Sequence, residues 1–310
     1  MKSKELYKVY RPRKFKDIIG QKEAVKILRT KIEKEELPHT ILLSGPSGTG
    51  KTTIARILVR ALKCSRHDFV EANNADLRGI EEVRKIRNVI QLTPLRGDCR
   101  VWLIDEAHKL TNDAQNAFLK MLEDTPDHVY FIFCTTEPEK LLKTIRTRST
   151  EIGLHSLSTK DMLKLIANVS AKAKINLPEE VVENIIENSD GSPRKALVLL
   201  DQIKDLQNED EMLRAIEAST AKDKGEFIGK LLLRPNVEWS ELAECLKDNR
   251  KEDSEKIRRG VLGYMASVLL NNSGKTAARA FIVIGCFEDN LYNSGFAGLV
   301  YACFAVLHGN

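Results

Sequence analysis

Three short, unbroken apolar runs punctuate the first half of the chain: 39–45 (HTILLSG), 101–105 (VWLID) and 129–135 (VYFIFCT). Each is strand-sized and bounded by turn residues. Between them the pattern changes to helical spacing. Residues 52–63 (TTIARILVRALK) form one such stretch, and 113–124 (DAQNAFLKMLED) another. In the second, Ala114, Ala117, Phe118, Met121 and Leu122 share one face, and Thr111 or Asn112 can cap it. Strands that are apolar on both sides, alternating with helices, predict a largely parallel sheet covered on both faces. After about residue 153 the strand pattern stops. Stretches 161–174, 178–189 and 192–203 read as helices, with Pro178 and Pro193 near helix starts, where a missing N–H costs little. The last third is helical too, with loop signals at 234–239, 271–275 and 292–295. The predicted organisation is an α/β domain over 1–153, a small helical domain over 154–219 and a second helical domain over 220–310.

Composition narrows the class. The chain has 310 residues, 42% hydrophobic and 30% charged, which suits two or three globular domains rather than a disordered chain. Its longest apolar stretches, 261–270 and 296–307, fall short of the roughly 18–20 residues that span a bilayer. The basic N-terminus lacks the apolar core of a secretory signal. Six cysteines, at 64, 99, 134, 245, 286 and 303, contain no C-x-x-C pair, so neither a disulfide framework nor a cysteine zinc site is indicated. These features predict a cytoplasmic protein with no membrane partner. The net charge of +5 is unevenly spread: residues 1–153 hold 29 basic and 21 acidic side chains, residues 154–310 hold 20 and 23. A basic front half suits a polyanion, nucleotide or nucleic acid, but also suits ordinary solvated helices.

The motifs decide between these. Gly45-Pro46-Ser47-Gly48-Thr49-Gly50-Lys51-Thr52 fits G-x(4)-G-K-[ST], with a predicted strand before it and a helix after it, as a phosphate-binding loop requires. The glycines let backbone N–H groups converge on phosphate oxygens at the positive end of the following helix. Lys51 is then placed for the β- and γ-phosphates, and the Thr52 hydroxyl for Mg²⁺. A second GKT, at 274–276, lacks the first glycine, because Leu269 stands there; it is expected to be a loop. The run 101–106 ends in Asp105 and Glu106. Asp105 can join the Mg²⁺ shell, and Glu106 can polarise an attacking water. Thr136 closes a strand expected beside that of Asp105, within reach of the γ-phosphate. Ser192 can cap a helix starting at Pro193, which puts Arg194 in the first turn, where a cation is unfavourable for the helix dipole.

In order along the chain, the segments 10–21 (YRPRKFKDIIGQ), 45–52, 101–106, 111–120 (TNDAQNAFLK), 133–138 (FCTTEP) and 190–197 (DGSPRKAL) resemble the motifs of clamp-loader ATPases of the AAA+ class. The resemblance covers about residues 5–205. It implies an ATP-hydrolysing motor that opens a sliding clamp and closes it around primer-template DNA, within a five-subunit assembly whose collar is the C-terminal domain. It implies nucleotide contacts from Tyr10, Arg11, Pro12, Ile19, Thr53, Pro193 and Arg194, with Thr136 and Arg194 as sensors. Arg148, in Thr147-Arg148-Ser149, aligns with an arginine that reaches the neighbouring subunit's ATP site, and Arg146 is a nearby competitor. The segment 77–87 resembles a helix facing DNA. Arg78, Arg84, Arg87 and Arg96 are therefore candidate backbone contacts, and binding is expected to be independent of sequence and sensitive to salt.

Two departures stand out. The family's Ser-Arg-Cys flanks are changed around Arg148. Bacterial members carry a four-cysteine zinc module, whereas residues 62–69 pass straight to the next strand; Cys64 and His67 alone cannot complete a tetrahedral site, so no zinc is expected. Three other readings compete. The tetrapeptide Asp105–His108 spells the DEAH of a helicase class, but that class needs a second α/β domain and 154–310 reads as helices only. An AAA+ branch-migration or helicase-loading protein is another. The last is a non-hydrolysing scaffold subunit, which the presence of Lys51, Thr52, Asp105, Glu106 and Arg194 opposes.

Overall fold

The computed structural model describes residues 5–72, 80–220 and 224–308. After a short turn of helix, α1 (Leu6–Val9), come α2 (Lys22–Glu33), β1 (Thr40–Ser44), α3 (Lys51–Ala61), β2 (Phe69–Ala72), α4 (Ile80–Ile90) and β3 (Arg100–Ile104). Next are α5 (Asn112–Glu123), β4 (Val129–Thr135), α6 (Lys143–Thr147) and β5 (Thr150–Gly153). The five strands form one parallel sheet in the order β2-β3-β4-β1-β5. The three apolar runs are its central strands. β2 and β5, at the edges, are the two that the apolar pattern does not single out.

Alternation within the central strands explains their unbroken apolar sequence. Leu42, Trp102, Ile104, Phe131 and Phe133 face one layer, against Ile86 and Ile90 of α4 and Ala114, Phe118 and Met121 of α5. Ile41, Leu43, Val101, Leu103 and Ile132 face the other, against Leu28 of α2 and Ile54, Ala55 and Leu58 of α3. Both faces are dry, as a sheet crossed by helices on each side demands. Phe118 meets Phe131 and Phe133 edge-on, with centroids 6.0 and 5.5 Å apart. Thr111, not Asn112, caps α5: its hydroxyl accepts from the Ala114 N–H at 3.2 Å.

Then follow α7 (Thr159–Ala173), α8 (Glu179–Asn188) and α9 (Pro193–Ile203), packed mutually around Met162, Ile166, Ile185 and Leu200. The chain folds as two compact units, Met1–Asp205 and Leu206–Asn310. The first unit holds the sheet together with α7–α9. The second holds α10 (Glu209–Thr220), α11 (Lys224–Leu233), α12 (Trp239–Asp248), α13 (Ser254–Asn271), α14 (Gly274–Cys286) and α15 (Gly295–His308). The division after Asp205 thus differs from the boundary expected at 219. α10 goes with the second unit because it packs on α11 and its Arg214 pairs with Glu241 of α12 at 2.8 Å. The 274–276 GKT is also not a loop: Gly274 opens α14.

Around Leu231, Leu242, Val261, Met265, Val283 and Leu299 the second unit builds its own core. α11 and α13 approach so closely that a Cβ at Gly225 would meet the backbone of Ile257, Gly260 and Val261. Leu270, Phe281 and Tyr301, on α13, α14 and α15, remain 85%, 68% and 75% exposed. No helix of the described residues is long and apolar enough to cross a membrane.

Candidate nucleotide site

The register fixes where chemistry can sit. Ser44 pairs with Thr135, and Ile104 with Phe133, so β1, β3 and β4 end on one edge of the sheet. Ligands of open parallel sheets bind beyond these carboxyl ends. Residues 45–50 turn from β1 into α3 there. Gly48 and Gly50 take φ of +78° and +107°, the left-handed region that suits glycine. Lys51, buried, donates to the Gly45 carbonyl at 2.7 Å and the Pro46 carbonyl at 2.8 Å. The Thr49 hydroxyl also donates to the Pro46 carbonyl, at 2.9 Å. Burial pulls the Lys51 pKa down, against the attraction of Glu106 and Asp105.

The two motif halves meet directly. The Thr52 hydroxyl donates to Asp105 Oδ2 at 2.9 Å, and the Glu106 N–H donates to Asp105 Oδ1 at 3.0 Å. Glu106 itself has φ +52°, unusual for a residue with a side chain and typical of sites under functional constraint. Its carboxylate lies 3.4 Å from His108 Nε2. Thr52 and Asp105 thus bring hard oxygen donors together, the chemistry that Mg²⁺ selects.

A cavity of about 410 Å³ opens in front of this loop. Ser47–Ile54, Asp105 and Glu106 form its polar end. Tyr10, Arg11, Pro12, Ile18 and Ile19 form one wall, and Pro193, Arg194 and Leu197 of α9 another. Two hydrogen bonds fasten the N-terminal wall: Gln21 Nε2 donates to the His155 carbonyl, and the His155 N–H to Gln21 Oε1. Ser192 does cap α9, accepting from the Lys195 N–H at 3.4 Å. A Cβ on Gly48 would overlap that same hydroxyl, so the loop and the first turn of α9 are in contact. Burial and the charges of Arg56 and Arg194 push the Arg11 pKa down; Arg56 is itself held by Glu71 through bonds of 3.1 and 2.7 Å. Cations gathered this way suit an anionic ligand.

The remaining candidates scatter. Gly45 and Pro46 sit behind the cavity as acceptors for Lys51 rather than in its lining. Thr136 follows the last residue of β4 and is not in the lining; Thr135, before it, carries the described polar contacts. Arg148 pairs with Glu123 and donates to the Thr144 carbonyl, while Arg146 pairs with Glu151 at 3.5 Å; neither lines the cavity of its own chain. Arg78 and the Arg84 side chain lie outside the described residues. Arg87, on α4, and Arg96, in the loop after it, are exposed. Sequence reasoning missed Leu165, Asn168, Val169 and Lys172, which complete the cavity from α7. Their signal was there: the 3-1-3 spacing of one helical face, carrying Asn168 and Lys172 beside Leu165 and Val169.

A family model described as "DNA polymerase III, delta subunit" matches residues 20–78 and 69–158. The chain is 36% identical over 236 residues to the DNA polymerase III subunit gamma of Buchnera aphidicola subsp. Schizaphis graminum, covering 67% of this chain and 65% of that protein. It is 30% identical over 296 residues to the subunit tau of Bacillus subtilis, covering 87% of this chain and 52% of that one. It spans 38% of the length of mycobacterial gamma/tau relatives. Among solved structures, the RuvB Holliday junction branch migration motor of Thermotoga maritima matches with a TM-score of 0.58 and 26% identity, over 72% of this chain and 78% of that one. With its P-loop sheet, its helical cover and these relatives, the chain belongs to the AAA+ clamp-loader ATPase subunits.

Proposed function

We propose that this chain is an ATP-hydrolysing motor subunit of a DNA polymerase sliding-clamp loader. The observation that carries the reading is the direct bond between Thr52 and Asp105, at 2.9 Å, with Lys51 and Glu106 beside it. A scaffold subunit has no need of this set. ATP fits the cavity by its chemistry: an apolar pocket between the N-terminal segment and α7 for a base, and the N-terminus of α3 for phosphates. Thr52 and Asp105 would hold Mg²⁺, which neutralises charge on the β- and γ-phosphates when bound.

Each residue then has a physical role. Lys51 exchanges its two carbonyl acceptors for phosphate oxygens. Glu106 orients a water and takes its proton. Arg194, in the first turn of α9, brings positive charge to the phosphates from the helical side. Thr136 senses the γ-phosphate from the end of β4. Arg148 leaves Glu123 and serves the ATP of a neighbouring subunit. The exposed Leu270, Phe281 and Tyr301 of the second unit support its role as the collar of a five-subunit assembly. Arg87 and Arg96 contact the phosphate backbone of primer-template DNA.

The test is phosphate release by the assembled protein with clamp, with primer-template, and with both. Turnover should rise most with both, and E106Q should lower kcat by about 10²–10⁴-fold while K51A weakens ATP binding. Equal turnover in all conditions, or full activity in E106Q, would overturn the reading.

A further inference from the structure

His108 is the fourth residue after β3 ends, and its imidazole is only 6% exposed. It lies between two carboxylates that are far more open. Nε2 is 3.4 Å from Glu106 Oε2 and 3.3 Å from Glu137 Oε1, and these acids are 41% and 38% exposed. The other ring nitrogen, Nδ1, is 3.1 Å from the hydroxyl of Thr135, the last residue of β4. That hydroxyl already accepts the Glu137 N–H at 3.0 Å.

Ionised carboxylates only accept, which favours a proton on Nε2, the ring nitrogen nearest both of them. With its oxygen receiving the Glu137 N–H, the Thr135 hydroxyl has its own hydrogen to give, and Nδ1 is the acceptor within reach. A neutral imidazole that accepts at Nδ1 carries its proton on Nε2. Nε2 is the nitrogen that lies within 3.4 Å of both Glu106 and Glu137. Lys109, 3.7 Å from Glu106, is on a 53% exposed side chain, and Lys140 pairs with Glu137 rather than Glu106. An enclosed ring with both nitrogens committed defines a position far better than a solvated lysine does.

We propose that His108 is a positioning residue for Glu106, tying the carboxylate that activates water to Thr135 and Glu137 at the end of the neighbouring strand. The inference rests on the reading of Glu106 as the base. Because Ile104 and Phe133 are paired in register, the tie spans adjacent strand ends. Glu106 and Glu137 lie near the same ring nitrogen.

The test compares H108F, H108Q and E106Q in the full chain, with kcat and KM for ATP measured alongside titration with a slowly hydrolysed ATP analogue. H108F keeps a planar aromatic ring and removes both nitrogens. Its kcat should fall about 10–100-fold, as for other residues that orient a reacting group, with analogue affinity within about threefold. H108Q, whose amide can replace the Nε2 donor, should recover kcat to within about threefold of the parent. Full kcat in H108F alongside an inactive E106Q would overturn the positioning role and leave the base assignment standing. Full kcat in E106Q would remove the base assignment instead. The tautomer is a readout independent of turnover and of how well the variants fold. In the ¹⁵N spectrum of the unsubstituted protein, with His108 assigned by its loss in H108Q, Nε2 should be protonated, and a neutral Nδ1–H ring would overturn the proposal. T135V should shift the Nδ1 resonance.

Discussion

Asp68 precedes β2 and is fully buried, and four groups converge on it. Oδ1 accepts the Leu95 N–H at 2.7 Å and Arg100 Nη2 at 3.4 Å. Oδ2 accepts the Arg96 N–H at 3.0 Å and the Ser65 hydroxyl at 2.9 Å. Arg100, 5% exposed, also donates to the carbonyls of Val89 and Thr93. The pair therefore clamps the loop between α4 and β3, which carries Arg96. D68N keeps the shape but removes the charge facing Arg100 and turns an amide N–H₂ towards one set of donors. Breaking a buried pair costs about 3–5 kcal/mol; with one acceptor oxygen retained, about 3 kcal/mol is expected. At a urea dependence of roughly 2 kcal/mol/M, the unfolding midpoint falls by about 1–2 M. Fluorescence in a W239F background isolates Trp102, two residues from Arg100 on β3. D68N/R100M should lose less than the sum of the single variants, since neither charge is then stranded.

The pH dependence of the same pair gives a second check. Burial alone would raise the Asp68 pKa, but the Leu95 and Arg96 N–H groups, Ser65 and Arg100 outweigh it and hold it at about 2, below its usual 3.8. A depressed carboxylate contributes its stability in full above 3.8 and loses it as pH falls towards 2. The gap between the parent and D68N should thus be widest near neutrality and shrink below pH 4. A midpoint unchanged by D68N, or a gap that widens in acid, would refute the reasoning.

Gly48 and Arg148 offer tests closer to the chemistry. G48A forces a side chain into φ +78°, at about 1–2 kcal/mol, and into the Ser192 hydroxyl. ATP affinity should drop about tenfold in a binding titration, with S192G recovering part of it; unchanged affinity would count against the loop geometry. The Arg148–Glu123 pair is 35% and 49% exposed, so R148A should change unfolding stability by less than about 1 kcal/mol while lowering turnover of the assembly by about 10³-fold. Mixing R148A with K51A subunits should restore turnover, since each supplies what the other lacks. No recovery would sink the role in trans.

Sequence periodicity made the centre of the sheet legible because β1, β3 and β4 are covered on both faces and must be apolar throughout. β2 and β5 are four-residue edge strands with half-exposed positions, and a sequence such as Thr150–Gly153 carries no such constraint. The phosphate loop was readable because its requirements are local: glycines, a lysine and a helix start. So was the Ser192 cap. Asp68 was not, since its meaning comes from N–H groups 27 and 28 residues away. The α7 wall of the cavity, and the choice of Thr135 rather than Thr136 as the partner of His108, likewise depend on how separate elements converge.

Lys51 shows one more consequence. Its ammonium spans the turn it belongs to, fastened to the Gly45 and Pro46 carbonyls. The loop is therefore internally braced, and nucleotide arrival is an exchange of partners on a cation already in place rather than the ordering of a slack segment. Truncating this side chain withdraws a strut as well as a charge. A loss of affinity in K51A therefore measures both together, and a lysine analogue with its amine acylated would retain the length while cancelling the charge.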